Sequence, residues 1–236
     1  VQTCALPIYA RFGGTGTAGV NLEQLFVSPA VAWKVNPRHT IGAALNLAWQ
    51  RFSAQGIGVF DAFSIAPGSV SDRGTDTDTG IGLRLGWSGE LVDGLTVGAT
   101  WASKISGRFD RYRGLFADGG SFDIPENYGI GVAWRVTPTW TVGVDVQRIL
   151  YGEVDAVGNG VDPLFAGSPL GSSNGPGFGW RNATVFKIGI SHQLRADLTL
   201  RGGFSHVNQV VRGSQTFFNI LAPGVVQTHL TLGFTW

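Results

Sequence analysis

The chain has few charged residues, a single cysteine, no methionine and no long apolar run. Charged residues make up 14% of its 236 residues. The lone Cys4 excludes an intramolecular disulfide and a cysteine-based metal site. No run of about 20 apolar residues is present, which excludes an α-helical membrane protein. A net charge of +1, without a basic patch interleaved with aromatic residues, gives no sign of a nucleic-acid partner.

The chain does contain nine segments in which apolar and polar residues alternate at a period of two, which predicts β-strands. They span 25–35, 39–52, 80–88, 94–105, 127–136, 140–151, 180–193, 197–206 and 228–236. Their connections alternate strictly between short, as at 89–93, and long, as at 106–126. Tight turns at one end and long loops at the other are typical of an outer-membrane barrel. The sequence therefore predicts an all-β fold, a transmembrane antiparallel β-barrel.

One face of each predicted strand is large and apolar, and the other is small or polar. Ile81 and Leu83, for example, alternate with Gly82 and Arg84. Alternation alone does not decide which face points outward, because a soluble barrel turns its large apolar residues inward. All eight tryptophans are assigned to the apolar face near strand ends, with Trp180 in the belt on the long-loop side. Two such belts are typical of membrane interfaces, so the apolar face is predicted to contact lipid.

The start of the chain fits no strand. We hypothesise that residues 1–8 are not native sequence, since they have neither strand alternation nor the order of a signal peptide. The predicted division is a non-strand segment at 1–20 and a partial outer-membrane β-barrel domain at 21–236. Bacterial single-chain barrels have an even number of antiparallel strands, so nine strands are interpreted as part of a larger barrel.

Four stretches resemble a known family. They are GLFADGGSFDIPENY at 114–128, DVQRILY at 145–151, GPGFGW at 175–180 and FNILAPGVVQTHLTLG at 218–233. Together they resemble the FadL/TodX-type outer-membrane transporters of long-chain fatty acids and other hydrophobic compounds. The resemblance covers about residues 20–236 and implies a fourteen-stranded barrel plugged by an N-terminal hatch. It also implies substrate capture among outer loops, a lumenal pocket and sideways exit into the bilayer. The hatch and the last strands of that pattern are missing, which we interpret as truncation.

Basic residues exceed acidic ones on the small-residue face, which is predicted to line the lumen. The basic residues are Lys34, Arg84, Lys104, Arg135, Arg181, Lys187 and Arg201. An unpaired charge in a partly desolvated channel is costly, so this excess favours anionic ligands. Arg181 and Lys187 are the candidate carboxylate-binding residues, and Arg181 follows Gly-Phe-Gly-Trp much as a basic residue does in the family's high-affinity pocket. The alternative for Lys187 is a structural ion pair with Asp145 on the neighbouring strand.

The predicted loop 106–126 has many apolar side chains for an exposed segment. Phe109, Tyr112 and Phe116 have the spacing of one side of a short helix. An apolar groove formed by them beside Arg108 would suit the tail and head group of a fatty acid. These four residues are therefore candidate substrate-binding residues. The alternatives are that the rings only pack the loop onto its neighbours, and that the arginines contact lipopolysaccharide phosphates.

The sequence is interpreted as an outer-membrane transporter of long-chain fatty acids or similar hydrophobic or amphipathic compounds. Capture at the outer loops would be followed by passive diffusion through the barrel. The expected partners are the transported molecule, outer-membrane lipid and lipopolysaccharide, with no cofactor, no metal, no nucleic acid and a monomeric state. An enzyme is not expected, because neighbouring serine and histidine residues fall on opposite strand faces. The alternatives are a general porin for small solutes and a structural or adhesive barrel.

Overall fold

The computed structural model describes residues 8–9 and 17–236, which form an eleven-stranded antiparallel sheet. The strands are β1 (Ile8–Tyr9), β2 (Thr17–Val27), β3 (Ala30–Asn36), β4 (His39–Gln55), β5 (Asp76–Val92), β6 (Leu95–Ala102), β7 (Asn127–Arg135), β8 (Trp140–Ile149), β9 (Ala183–Arg195), β10 (Leu198–Val207) and β11 (Thr228–Thr235). Neighbours along the chain are neighbours in the sheet, except that β2 and β3 both pair with β4. The predicted all-β, antiparallel fold is confirmed.

Strands β2 and β3 form one continuous line along β4. Val27 lies opposite Leu47 and Ala30 lies opposite Ala44, so the register does not change across the break. The break falls at Pro29, which has no backbone N–H to donate to a neighbouring strand. Counted as one strand, β2 and β3 correspond to the first of the nine predicted segments, and β4 to β11 correspond to the other eight.

The predicted strand-free segment at 1–20 is wrong for residues 8–9 and 17–20. Strand β2 begins at Thr17, since Thr17 and Ala18 pair with β1 and the backbone at Gly19 and Val20 pairs with the end of β4. Residues 1–7 and 10–16 lie outside the described residues, and with them most of the segment hypothesised to be non-native.

Turns and loops alternate as predicted. The turns are 37–38, 93–94, 136–139 and 196–197, and the long loops are 56–75, 103–126, 150–182 and 208–227. The loops contain short 3-10 turns at Gly58–Phe63, Asp110–Tyr112, Tyr151–Glu153 and Gly213–Gln215. They also contain single helical turns, α1 (Ala117–Gly120), α2 (Asp155–Gly158), α3 (Asp162–Phe165) and α4 (Thr216–Asn219). None of the helices between residues 17 and 236 has the length and apolar character needed to cross a membrane.

The large apolar face of the sheet points outward, as predicted. On β4, Leu45 is 45% exposed, whereas Asn46 on the other face is 5% exposed and accepts a hydrogen bond from Ser28 Oγ. The outward apolar residues of β4 extend from Ile41 to Trp49. This apolar band covers nine residues, about 26 Å along the strand at roughly 3.3 Å per residue. A tilted strand of about 9–11 residues is what crosses the hydrocarbon core of a membrane.

Tryptophans mark both edges of this band. Trp33 and Trp87 flank Ile41 at the turn end, and Trp49 lies at the loop end. Trp180 is different, and its assignment to the outer belt is wrong. It precedes β9 and packs inside the loops, edge-on against Tyr151 with ring centroids 5.2 Å apart.

The hydrophobic core lies between the inner face of the sheet and the long loops. Its centre is Phe52, an inward-facing residue of β4. Three rings of loop 103–126 pack on Phe52, with centroid distances of 5.4, 4.8 and 4.8 Å to Phe109, Tyr112 and Phe116. Folding the loop into the lumen buries rings that would otherwise face water, so the sheet and the loops share one core.

The small residues of the inner face leave room for this loop. Ile105 lies on Gly82 of β5 so closely that a Cβ there would be 2.6 Å from Ile105 Cγ1. We expect Gly82→Val to lower the free energy of unfolding by about 1–3 kcal/mol through overpacking. Urea unfolding of the full-length protein in detergent, followed by tryptophan fluorescence, measures this loss. Gly233→Val on β11 is the matched control, because a Cβ there meets no heavy atom within 4 Å. Equal losses in the two variants would contradict the packing role.

Candidate functional site

An apolar pocket of about 400 Å³ lies between the inner face of the sheet and the long loops. Strands β2 and β4 and all four long loops contribute to its walls. Its larger lining side chains include Leu22, Phe26, Phe52, Phe60, Phe178 and Leu221. The volume falls in the range of about 300–1,000 Å³ that is usual for small-molecule sites. An apolar molecule or an apolar tail would therefore be the natural occupant.

Strand β2 departs from the alternation seen elsewhere in the sheet, and this departure builds one wall of the apolar pocket. Leu22 and Phe26 point inward and line the pocket, while Leu25 and Val27 point outward and are exposed. The end of β2 from Leu25 to Val27 is thus apolar on both faces. A strand with one face on lipid and the other on a protein-lined apolar pocket has this composition.

Trp180 forms another wall, and its position depends on two neighbours. Its indole N–H donates a hydrogen bond to Asn219 Oδ1. Gly224 lies against the ring, and a Cβ at this residue would be 2.9 Å from Trp180 Cζ2. A side chain at position 224 would therefore push the indole away from its place in the apolar pocket.

Buried amide groups hold loop 208–227 over the apolar pocket. Asn219, which is 6% exposed, donates through Nδ2 to the backbone oxygens of Phe178 and Gln215, each at 2.6 Å. Gln215 Oε1 accepts a hydrogen bond from Val161 N at 2.6 Å. These bonds tie loop 208–227 to loop 150–182. Phe218 and Leu221 of loop 208–227 line the apolar pocket, so the same hydrogen bonds hold the part of the loop that forms the roof of the pocket.

A second, more open cavity of about 360 Å³ adjoins the apolar pocket, and Trp180 lines both. Its lining includes Arg148, Arg181 and Arg212, with Glu153 as the acidic residue. We call this cavity the basic cleft. Arg148 Nη1 donates to Thr184 Oγ1, whereas the guanidinium groups of Arg181 and Arg212 have no hydrogen-bond or ion-pair partner within residues 17–236. The basic cleft therefore has positive groups available to an anion.

The structure brings the predicted aromatic residues together, but only Phe116 lines the apolar pocket. Phe109 and Tyr112 lie in the core and are 0% exposed. The Tyr112 hydroxyl accepts a hydrogen bond from Ala54 N at 3.0 Å and donates one to Gly74 O at 2.6 Å. The predicted short helix is reduced to the 3-10 turn Asp110–Tyr112.

The predicted basic residues lie in three different places. Arg181 lines the basic cleft, and Arg108 is exposed, with Nη1 donating to Gly119 O at 2.8 Å. Lys187 lies on the inner face of β9, away from the lining of both cavities. It lies opposite Asp145, yet its Nζ donates to Gln147 Oε1 at 3.3 Å and forms no ion pair with Asp145. The substrate-binding roles of all six residues remain predictions.

Two groups in the loops have shifted pKa values. Burial raises the pKa of the Tyr151 hydroxyl, so this residue is neutral at pH 7 where it packs on Trp180. A hydrogen bond from Lys104 to Asp123, and the negative charge of Asp123, raise the pKa of Lys104. The Lys104 Nζ to Asp123 Oδ2 distance is 2.8 Å, so the positive charge of this lysine already has the carboxylate of Asp123 as its partner. In the part of the chain from 17 to 236, no group of three or more His, Cys, Asp or Glu could hold a metal ion.

The sheet, with its outward apolar band, short turns and inward-folded loops, is that of a transmembrane β-barrel. A family model described as outer membrane protein transport protein (OMPP1/FadL/TodX) matches residues 9–236. The chain belongs to this family. The family assignment confirms the resemblance, the outer-membrane location and the expectation that the chain is not an enzyme.

Solved structures with the same fold include two toluene transporters and a FadL homologue. TodX of Pseudomonas putida aligns with a TM-score of 0.62 and 18% identity, over 91% of this chain and 59% of that one. TbuX of Ralstonia pickettii gives 0.60 and 18%, over 91% and 59%. The Pseudomonas aeruginosa FadL homologue gives 0.61 and 14%, over 83% and 52%. The chain thus spans 59% or less of these three proteins. The comparison with curated proteins gave no match.

Proposed function

We propose that the protein transports hydrophobic compounds passively across the outer membrane, with long-chain fatty acids or similar amphipathic molecules among its substrates. The apolar pocket beneath the long loops is the observation that carries this proposal. No charged side chain is among its described lining residues. Burying apolar surface is worth roughly 25 cal/mol per Å², so the pocket would capture such molecules from water.

An amphipathic acid has a place for each of its parts. Its tail would occupy the apolar pocket, and its carboxylate would reach the basic cleft on the other side of Trp180. A carboxylate there would form charge-assisted hydrogen bonds with Arg181 and Arg212, which are stronger than neutral ones. Lys187, further along the inner face of β9, would be a later anchor on the path through the barrel.

The remaining predicted residues would act less directly. Phe109 and Tyr112 would hold Phe116 in the wall of the apolar pocket, since all three rings pack on Phe52. Arg108 lies on the exposed surface of its loop and would contact lipopolysaccharide phosphates. A neutral hydrocarbon such as toluene, the compound in the names of TodX and TbuX, would need only the apolar pocket.

Uptake by outer-membrane vesicles carrying the full-length protein tests the proposal. We expect labelled oleate and toluene to enter, while a small sugar does not. Leu22→Asp places a charge in the apolar pocket and should reduce both uptakes by at least about tenfold. Arg181→Ala should reduce oleate uptake about 3- to 10-fold and leave toluene uptake unchanged.

Arg113→Ala is the matched control for Arg181→Ala, because Arg113 is an exposed loop arginine outside the lining of both cavities. It should leave all uptakes unchanged. Free entry of the sugar would contradict the proposal and indicate a general porin. No uptake of any compound would indicate a structural or adhesive barrel. Normal oleate uptake in the Arg181 variant would contradict the carboxylate anchor alone.

A further inference from the structure

One side chain among the described residues that line the apolar pocket has unused hydrogen-bonding capacity. It is Gln24, which lies on the inner face of β2 between Leu22 and Phe26. The other polar side chain of the lining, Trp180, already donates its indole N–H to Asn219. Gln24 is therefore the place where the pocket could distinguish ligands by polarity.

A short relay of hydrogen bonds sets the orientation of the Gln24 amide. Gln50, which is 1% exposed, donates through Nε2 to the backbone oxygen of Phe122 at 3.3 Å. Its Oε1 is consequently turned toward Gln24, whose Nε2 donates to it at 2.7 Å. An amide presents its donors on one side and its acceptor on the other, so Gln24 Oε1 points away from Gln50.

Gln24 Oε1 accepts no hydrogen bond from any residue between 17 and 236. Because Gln24 lines the apolar pocket, a ligand without a donor would cover this oxygen and leave it without a partner, whereas a ligand with a donor would bond to it. A carboxylate has no donor to offer, which agrees with its placement in the basic cleft. A hydroxyl group on an otherwise apolar molecule has the required donor.

We propose that Gln24 Oε1 accepts a hydrogen bond from a ligand hydroxyl, so that the apolar pocket prefers monohydroxylated apolar compounds, such as alkylphenols, to hydrocarbons of the same size. The preference rests on the proposed function, because it concerns the same pocket. Gln24 is then a specificity-determining residue. Its amide is already oriented before the ligand binds, because Gln50 and the Phe122 carbonyl hold it in place.

Titration calorimetry of the full-length protein in detergent tests this with three ligands of similar size. p-Cresol has a hydroxyl donor, its isomer anisole has oxygen but no donor, and p-xylene has a methyl group in place of the hydroxyl. We expect wild-type protein to bind p-cresol about 3- to 10-fold more tightly than either of the others. Gln24→Met keeps the side-chain length, replaces the amide with a thioether that accepts hydrogen bonds only weakly, and should remove this preference for p-cresol. Leu25→Met, on the outward face of the same strand and outside the pocket lining, is the matched control and should preserve it.

The outcomes separate this preference from the proposed function. If wild-type protein binds p-cresol no more tightly than anisole, the preference is overturned, and this result needs no variant. If the preference persists in Gln24→Met, Gln24 is not its cause. In both cases binding of p-xylene would leave the hydrophobic-transport proposal standing. If none of the three ligands binds, both proposals fail.

Discussion

Replacing Phe52 with alanine is expected to lower the free energy of unfolding by about 3–5 kcal/mol, the usual cost of truncating a buried phenylalanine. Phe52 is where the sheet, loop 103–126 and the apolar pocket meet. Its ring packs on three aromatic rings of that loop and also lines the pocket. The alanine would leave a void that rigid strands cannot close, so the rings of Phe109, Tyr112 and Phe116 would lose their common support.

Urea unfolding in detergent measures the stability loss, and the toluene uptake assay measures the effect on the pocket. Leu47→Ala is the control on the same strand, because Leu47 faces outward and is exposed. We expect it to cost much less than Phe52→Ala. Phe52→Leu should be intermediate, since it keeps more of the side-chain volume. Equal losses for the Phe52 and Leu47 alanine variants would contradict a core centred on the inner face.

The strands could be predicted from the sequence because each must present an apolar face to the lipid on one side. Ile81, Leu83 and Leu85 repeat at a period of two for this reason, and Gly82 between them is small because Ile105 covers it. The alternation of turns and loops follows from antiparallel pairing of neighbours. The residues at 17–20 were missed because Ala18 and Val20 face inward beneath loops and do not produce an apolar outer face.

The apolar pocket could be predicted only in part, because its residues break the pattern that reveals the strands. Leu22, Phe26 and Phe52 are large apolar residues on the face expected to be small or polar. These large apolar residues on the inner face are the sequence signal from which the pocket could be predicted. Trp180 shows the opposite difficulty, because it follows the strand pattern without belonging to the strand. Its position continues the apolar alternation of β9, although β9 begins at Ala183. Loop contacts such as that of Trp180 with Asn219 join residues distant in the chain and have no period to detect.

Replacing Asn219 with alanine is expected to open the roof of the apolar pocket. The side chain accepts one hydrogen bond from Trp180 and donates two to backbone oxygens, so its removal leaves three partly buried groups unsatisfied. A loss of about 2–4 kcal/mol follows from the cost of such groups. Loop 208–227 would then be freer to leave, and with it Phe218 and Leu221 of the pocket lining.

Two measurements check the role of Asn219. Hydrogen exchange should show faster exchange in 208–227 and around Trp180, with the strands unchanged, because local opening does not require unfolding of the sheet. Calorimetry should show weaker binding of p-xylene. Ile220→Ala changes the exposed neighbour and should affect neither. Faster exchange throughout the sheet would mean that Asn219 supports the whole fold. Unchanged exchange with weaker binding would mean that the Trp180 ring itself, and not the loop above it, shapes the pocket.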